Sequence, residues 1–141
     1  MDAVVIYESL TGTAARVAHL VADRLVAEGI PTVAFPVTAI DYEALSRADL
    51  VVVGTWTDGI IVVGQRPGRA ARLRGLPAMG GKRAVVFATY AIAPGKVLEK
   101  LVAIVEDRGA EVLGGMTIRR DRVESSTAEF VDRLLSVVAP A

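Results

Sequence analysis

Ala3-Val4-Val5-Ile6-Tyr7, followed by Ser9-Leu10-Thr11-Gly12-Thr13, decides how this chain reads. The first five residues are apolar and β-branched, and short enough for a buried strand. From Ala14 to Ala27 the period changes, and Val17, Leu20, Val21, Leu25 and Val26 fall on one helical face. Hydroxyls and one glycine lie between the two patterns. A strand that ends in such a loop and feeds a helix makes an anion site. The N–H groups of a helix's first turn have no helical partner, and its dipole favours negative charge there. Ser9, Thr11 and Thr13 add hydroxyl donors, and Gly12 lets the backbone approach closely. Taken alone, the same loop reads as a helix cap supplied by Thr11 or Thr13. It holds no lysine, and neither GxGxxG nor GxxxxGK[ST] follows the strand. The fingerprints for dinucleotides and nucleoside triphosphates are therefore absent.

Outward from this loop, strand and helix patterns alternate. Pro31 to Val37 reads as a second strand, and Asp41 to Arg47 as a short helix with Asp41 as its N-cap. Asp49 to Gly54 reads as a third strand, a continuous apolar run of the kind found in sheets covered on both faces. Thr55 to Gly68 reads as a long loop, and Arg69 to Leu73 as a short helix. Arg83 to Thr89 is the fourth strand, and the helix after Pro94-Gly95 runs through Arg108, stopped by Gly109. A fifth strand lies within Ala110 to Ile118. The last helix spans Thr127 to Val138, capped by Ser125 or Ser126. The expected fold is α/β, a doubly wound, five-stranded parallel sheet in one domain over residues 1–141. Ligands of such sheets bind beyond the carboxyl ends of the strands. That places Ser9–Thr13, Thr55–Gly59, Tyr90–Gly95 and Arg119–Arg122 on one edge.

Composition limits the chemistry. A chain of 141 residues suits one domain, and 52% hydrophobic content with a mean hydropathy of +0.46 argues against disorder. No apolar run is long enough to span a bilayer, and no basic segment precedes the first strand, so neither membrane nor secretory signal is expected. The absence of cysteine excludes disulfides, iron–sulfur clusters and thiol catalysis, and fits a cytoplasmic protein. One histidine, His19, leaves little material for a zinc site or a Ser-His-Asp triad; it reads as a helix-surface residue. The net charge is zero, yet no acidic residue occurs between Asp58 and Glu99, a stretch that holds Arg66, Arg69, Arg72, Arg74, Lys82, Arg83 and Lys96. Arg119, Arg120 and Arg122 form a second cluster. Together they suggest a basic face suited to an acidic partner or a phosphorylated ligand. Zero net charge without basic–aromatic interleaving speaks against nucleic acid.

The stretch Gly54-Thr55-Trp56-Thr57-Asp58-Gly59 contains the only tryptophan. Beyond a buried strand at the ligand edge, an indole offers a flat apolar face to a planar ring. Thr89 and Tyr90 open the loop after strand four and add a second aromatic. With both loops in view, the chain resembles the flavodoxin family. Ser9-Leu10-Thr11-Gly12-Thr13-Ala14 is similar to that family's S/T-x-T-G-N-T phosphate loop, and Gly54-Thr55-Trp56-Thr57-Asp58 to its S-T-W-G-D flavin loop. The resemblance covers essentially the whole chain in element order and length and matches the short-chain form. It implies the strand order 2-1-3-4-5 and FMN as cofactor. Ser9, Leu10, Thr11, Gly12, Thr13 and Ala14 would surround the phosphate. Thr55, Trp56, Thr57, Asp58, Gly59, Thr89 and Tyr90 would line the ring, with Trp56 stacked on it.

The chain departs from the family pattern in several places. Ala14 replaces a threonine and Thr13 an asparagine. Thr57 stands where glycine is common, and a β-branched residue disfavours the φ > 0 turn that the resemblance implies on reduction. The loop after strand four lacks the family's D-x-x-Y pattern, and the acidic balance typical of flavodoxins is missing. The function expected is electron transfer or flavin-dependent reduction, without a side-chain nucleophile. The partner is a redox protein or a nicotinamide nucleotide, with Arg66 and Arg69 as its candidate contacts. The alternative is a regulatory or assembly module that has kept the fold and lost FMN; Ile60-Ile61-Val62-Val63 would then be its contact surface, the default for such a run being burial under the long loop. A phospho-acceptor receiver is excluded, because Gly54-Thr55 stands where its aspartate belongs.

Overall fold

The computed structural model describes residues 1–59 and 64–138; the run Ile60-Ile61-Val62-Val63 lies outside the described residues. In chain order the elements are β1 (Ala3–Tyr7), α1 (Thr13–Ala27), β2 (Thr32–Pro36), α2 (Tyr42–Arg47) and β3 (Leu50–Asp58). There follow β4 (Arg66–Pro67), α3 (Ala70–Arg74), β5 (Arg83–Tyr90), α4 (Val97–Asp107), β6 (Glu111–Arg119) and α5 (Val123–Val138). The sheet order is β2-β1-β3-β5-β6, every pair parallel, with β4 antiparallel to the end of β3. This is the order expected from the sequence; the two-residue β4 only renumbers the last two strands.

Alternation along the strands divides the core into two layers. Val5, Leu50, Val52, Val85 and Phe87 face α1 and α5, where Val17, Val21, Leu25, Phe130 and Leu134 meet them. Val4, Ile6, Val51, Val53, Ala84 and Val86 face the other way, onto Leu45, Leu73, Leu101 and Val105 of α2, α3 and α4. Both faces are covered, so the central strands are apolar at nearly every position. Each fully buried Val, Leu or Ile contributes about 1.5–3 kcal/mol, and β1 and β3 hold the densest run of them.

Three boundaries differ from the sequence reading. First, β3 does not stop at Gly54. It runs on to Asp58, because Thr55 and Trp56 remain paired with Ala88 and Thr89 of β5, and Thr57 and Asp58 find Pro67 and Arg66 in β4. Gly54 is no turn residue. A Cβ there would lie 1.9 Å from Cζ of Phe87, so the glycine makes room for that ring inside the sheet. Second, α5 begins at Val123, four residues before Thr127, and Ser125 and Ser126 lie inside its first turn. The amide of Ser126 donates to the Arg122 carbonyl at 3.0 Å. Buried Val123 anchors that turn to the core, and this tertiary contact outweighs the capping preference of the serines. Third, the residue before α1 is Gly12, at φ 96° with no side-chain cap of its own, so neither Thr11 nor Thr13 caps the helix.

Candidate functional site

The loop between β1 and α1 is organised by Ser9. Its hydroxyl oxygen accepts from the amides of Gly12 (3.1 Å) and Ala15 (3.2 Å). That leaves the Ser9 proton free to donate outward. The amides of Thr13 and Ala14, in the first turn of α1, have no partner among the described residues. Gly12 permits this geometry, since a left-handed turn at that point disfavours any side chain. Thr11 is exposed and Thr13 half-buried, while Ala14 is buried under the turn. The result is a cluster of hydroxyl and N–H donors at the N-terminus of a 15-residue helix.

These donors open onto a cavity of about 300 Å³ at the carboxyl edge of the sheet. Ser9, Leu10, Thr11, Thr13 and Ala14 form one wall; Trp56, Thr57, Asp58 and Gly59 form a second; Thr89, Tyr90, Ala91 and Arg120 complete it. Four segments far apart in sequence thus meet where the topology places them. Two of the expected residues stand back from the cavity. Gly12 shapes the turn, and Thr55 is fully buried, its hydroxyl donating to the Gly68 carbonyl at 2.8 Å. Thr57 lines the wall, yet its buried hydroxyl oxygen has no partner among the described residues.

Trp56 lies within β3 and not in a loop. It is half-buried, and its carbonyl accepts from the Gly68 amide at 2.7 Å. The Arg69 guanidinium sits over its ring, 5.2 Å from the centroid. On the far side of the cavity the Arg120 amide donates to the Tyr90 carbonyl at 2.9 Å, which joins the end of β5 to the turn after β6. Arg120 also borders a second hollow of about 360 Å³, shared with Arg16 and Arg122.

The basic stretch is not one free face. Arg66 pairs with Asp58 at 3.3 Å, and Arg69 and Arg72 both turn to Glu8. Lys82 donates to the carbonyls of Ser46 (3.3 Å) and Ala48 (2.8 Å), at the end of α2. Neighbours in sequence point to separate anchors in space. In the second cluster, Arg119 grips both oxygens of Asp121 at 2.8 Å. That hydrogen bonding holds the Asp121 carboxyl below the usual carboxylate range and raises the Arg119 guanidinium in turn. His19 is exposed, edge-on to Tyr7 with ring centres 5.6 Å apart.

The sequence reading did not single out Glu8; it put Ala91 and Arg120 on the ligand edge only as part of the Tyr90–Gly95 and Arg119–Arg122 loops, and Gly68 only as the end of a long loop. Glu8 had one local signal, an acid directly after an apolar strand; its arginine partners stand 61 and 64 residues away.

The Flavodoxin family profile matches residues 5–132. The chain belongs to the flavodoxin family. No curated protein gives a significant match. Among solved structures, a mutant of the flavodoxin from Pseudomonas aeruginosa superposes with a TM-score of 0.75 at 18% identity, covering 99% of this chain and 100% of that one. The flavodoxin of Streptococcus pneumonia TIGR4 gives 0.66 at 20% identity, with 95% and 99% covered. The rubredoxin oxygen:oxidoreductase of Desulfovibrio gigas gives 0.66 at 16% identity over 99% of this chain but 37% of that one. Such identities speak to the fold. At the level of the family, membership supports a flavin, typically FMN, and electron transfer to redox partners. Among the described residues, no helix is long and apolar enough to cross a membrane.

Proposed function

We propose that this flavodoxin-family protein binds FMN in the cavity between Ser9 and Trp56 and passes electrons between partners in the cytoplasm. One observation carries the reading. A donor cluster suited to a phosphate and two aromatic residues suited to a flat ring line the same cavity, whose size is that of a small-molecule site. The donor set fits the group: the Ser9, Thr11 and Thr13 hydroxyls and the unpartnered amides of Thr13 and Ala14 would take the phosphate oxygens. Ala14 offers no hydroxyl, and its amide does the work there. Trp56 and Tyr90 would flank the ring, with Thr57, Asp58 and Gly59 along its edge. When bound, FMN supplies the redox chemistry; the protein holds it, orients it and keeps water from its faces.

The partner proposed is a redox protein or a nicotinamide nucleotide. Arg69 faces Glu8 and Arg66 faces Asp58, so the basic group best placed to meet a phosphorylated co-substrate is Arg120, at the junction of the two hollows.

Titration of the cofactor-free protein with FMN and with riboflavin, by calorimetry and visible absorption, tests the proposal. FMN is expected to bind at least tenfold more tightly than riboflavin, about the effect of one or two charge-assisted hydrogen bonds. Equal affinities remove the phosphate loop from the account, and failure to take up FMN removes the function.

A further inference from the structure

A buried carboxylate stands behind the indole of the proposed site. Glu8 is 2% exposed. Its two oxygens meet Arg69 at 2.8 Å and Arg72 at 3.5 Å. Arg69 has φ 50° and ψ 47°, and among the described residues it is the only non-glycine residue with positive φ. Left-handed backbone is disfavoured for a residue with a side chain, so contacts elsewhere must hold Arg69 in it. The structure shows two such contacts: the ion pair to Glu8 and the guanidinium's seat over Trp56.

Gly68 presses on the same ring. A Cβ on Gly68 would come within 2.2 Å of the indole Cδ2. Its amide and carbonyl are bonded to Trp56 and Thr55 of β3. The segment Gly68–Arg69 therefore backs the indole, fixed to β3 through the main chain and to the end of β1 through Glu8. A buried ion pair is a weak source of net stability, which leaves the placing of Arg69 as the better account of why an acid sits there.

We infer that Glu8 is a positioning residue for Trp56: through Arg69 it fixes the ring, so that the part left uncovered is ready to receive a planar ligand. This rests on the reading of the cavity as a flavin site. An indole free to turn would have to be ordered on binding, and a fixed one avoids that cost. The effect belongs to the ring and not to the phosphate, so it acts alike on FMN and riboflavin.

The chain has one tryptophan, so every tryptophan signal reports Trp56. Near-UV circular dichroism and fluorescence anisotropy of the cofactor-free protein are to be compared for the wild type, Glu8→Gln and Arg69→Gly. Glycine accepts the backbone of position 69, so that variant removes the guanidinium and keeps the turn. Expected is a clear loss of the tryptophan signal in both variants with far-UV spectra unchanged. FMN and riboflavin should weaken together, by about fivefold to tenfold, and the loss should vanish in a Trp56→Ala background. An unchanged tryptophan signal in a folded Glu8→Gln, or in Arg69→Gly, overturns the inference. So does a loss of affinity that persists without Trp56. Should Glu8→Gln fail to fold, Arg69→Gly decides. If the wild type takes up neither flavin, the flavin reading falls, and the tryptophan signal still decides whether Glu8 positions the ring.

Discussion

At Trp56, stability and binding share one ring. The side chain is half-buried, packed on Gly68 and capped by Arg69, so it cannot be removed as though from a free loop. Trp56→Ala should lower stability by about 2 kcal/mol, less than the full cost of emptying a core site because the ring is part-exposed. It should also weaken FMN several-fold. Urea melts and flavin titration on the same sample separate the two effects. Asp121 gives a residue-scale test of charge. Its carboxyl is held below the usual range by hydrogen bonds from Arg119. A depressed folded-state pKa gives stability that is present above the unfolded value and lost as pH falls through the folded one. The Asp121 carboxyl resonance should therefore titrate below the ordinary carboxylate range, and in Arg119→Gln its midpoint should rise towards that range. An unmoved midpoint would show that the bidentate pair does not persist in solution.

Among the elements, α1 and the β3–β4 ladder shape the site. Ser9 is the side chain that serves the first turn of α1, and Ser9→Ala should cost about 1 kcal/mol of stability, as the loss of a helix cap does. The same change should weaken FMN more than riboflavin; equal weakening would mean that Ser9 acts only on the helix. The element that the sequence hid is β4. Two residues, one of them proline, carry no periodicity, and Gly54 reads as punctuation until the Phe87 ring above it is seen. By contrast the strand–loop–helix at Ser9 is a local pattern with a local cause, and the structure reproduces it to within a residue. Glu8 and Arg69 could not be paired from sequence, since sixty-one residues separate them and only the topology brings them together.

Across the whole molecule, protection should follow the sheet's order. β1 and β3 are central, covered on both faces and fully buried at Val5 and Val52. The amides of β1 and of β3 as far as Gly54 should exchange with solvent only through global unfolding, whereas the two-residue β3–β4 ladder, read at the Arg66 amide because Pro67 has none, should open earlier. Native-state hydrogen exchange checks this; equal protection of β4 and β1 would show that the ladder is part of the core's cooperative unit. The fold was legible in the sequence because alternation and apolar runs are averages over many residues. Most of the cavity's lining was legible, because the loop at Ser9 is a local pattern and the Trp56 stretch stands directly beyond an apolar run. What stayed hidden was each feature made by two distant residues: the Thr57–Pro67 ladder, the Gly68–Trp56 contact and the Glu8–Arg69 pair.

The ion pairs at Glu8 also constrain the order in which this chain can drift. Removing Arg69 and Arg72 first would strand a carboxylate that is 2% exposed, at a cost on the order of 3 kcal/mol. Removing Glu8 first leaves two arginines whose side chains are 39% and 50% exposed and can turn back to water. Mutational paths out of this arrangement therefore open through the acid, with both arginines free to go together only afterwards. A saturation library at the three positions, sorted for folded protein, should recover loss of both arginines together almost solely alongside a neutral residue at position 8.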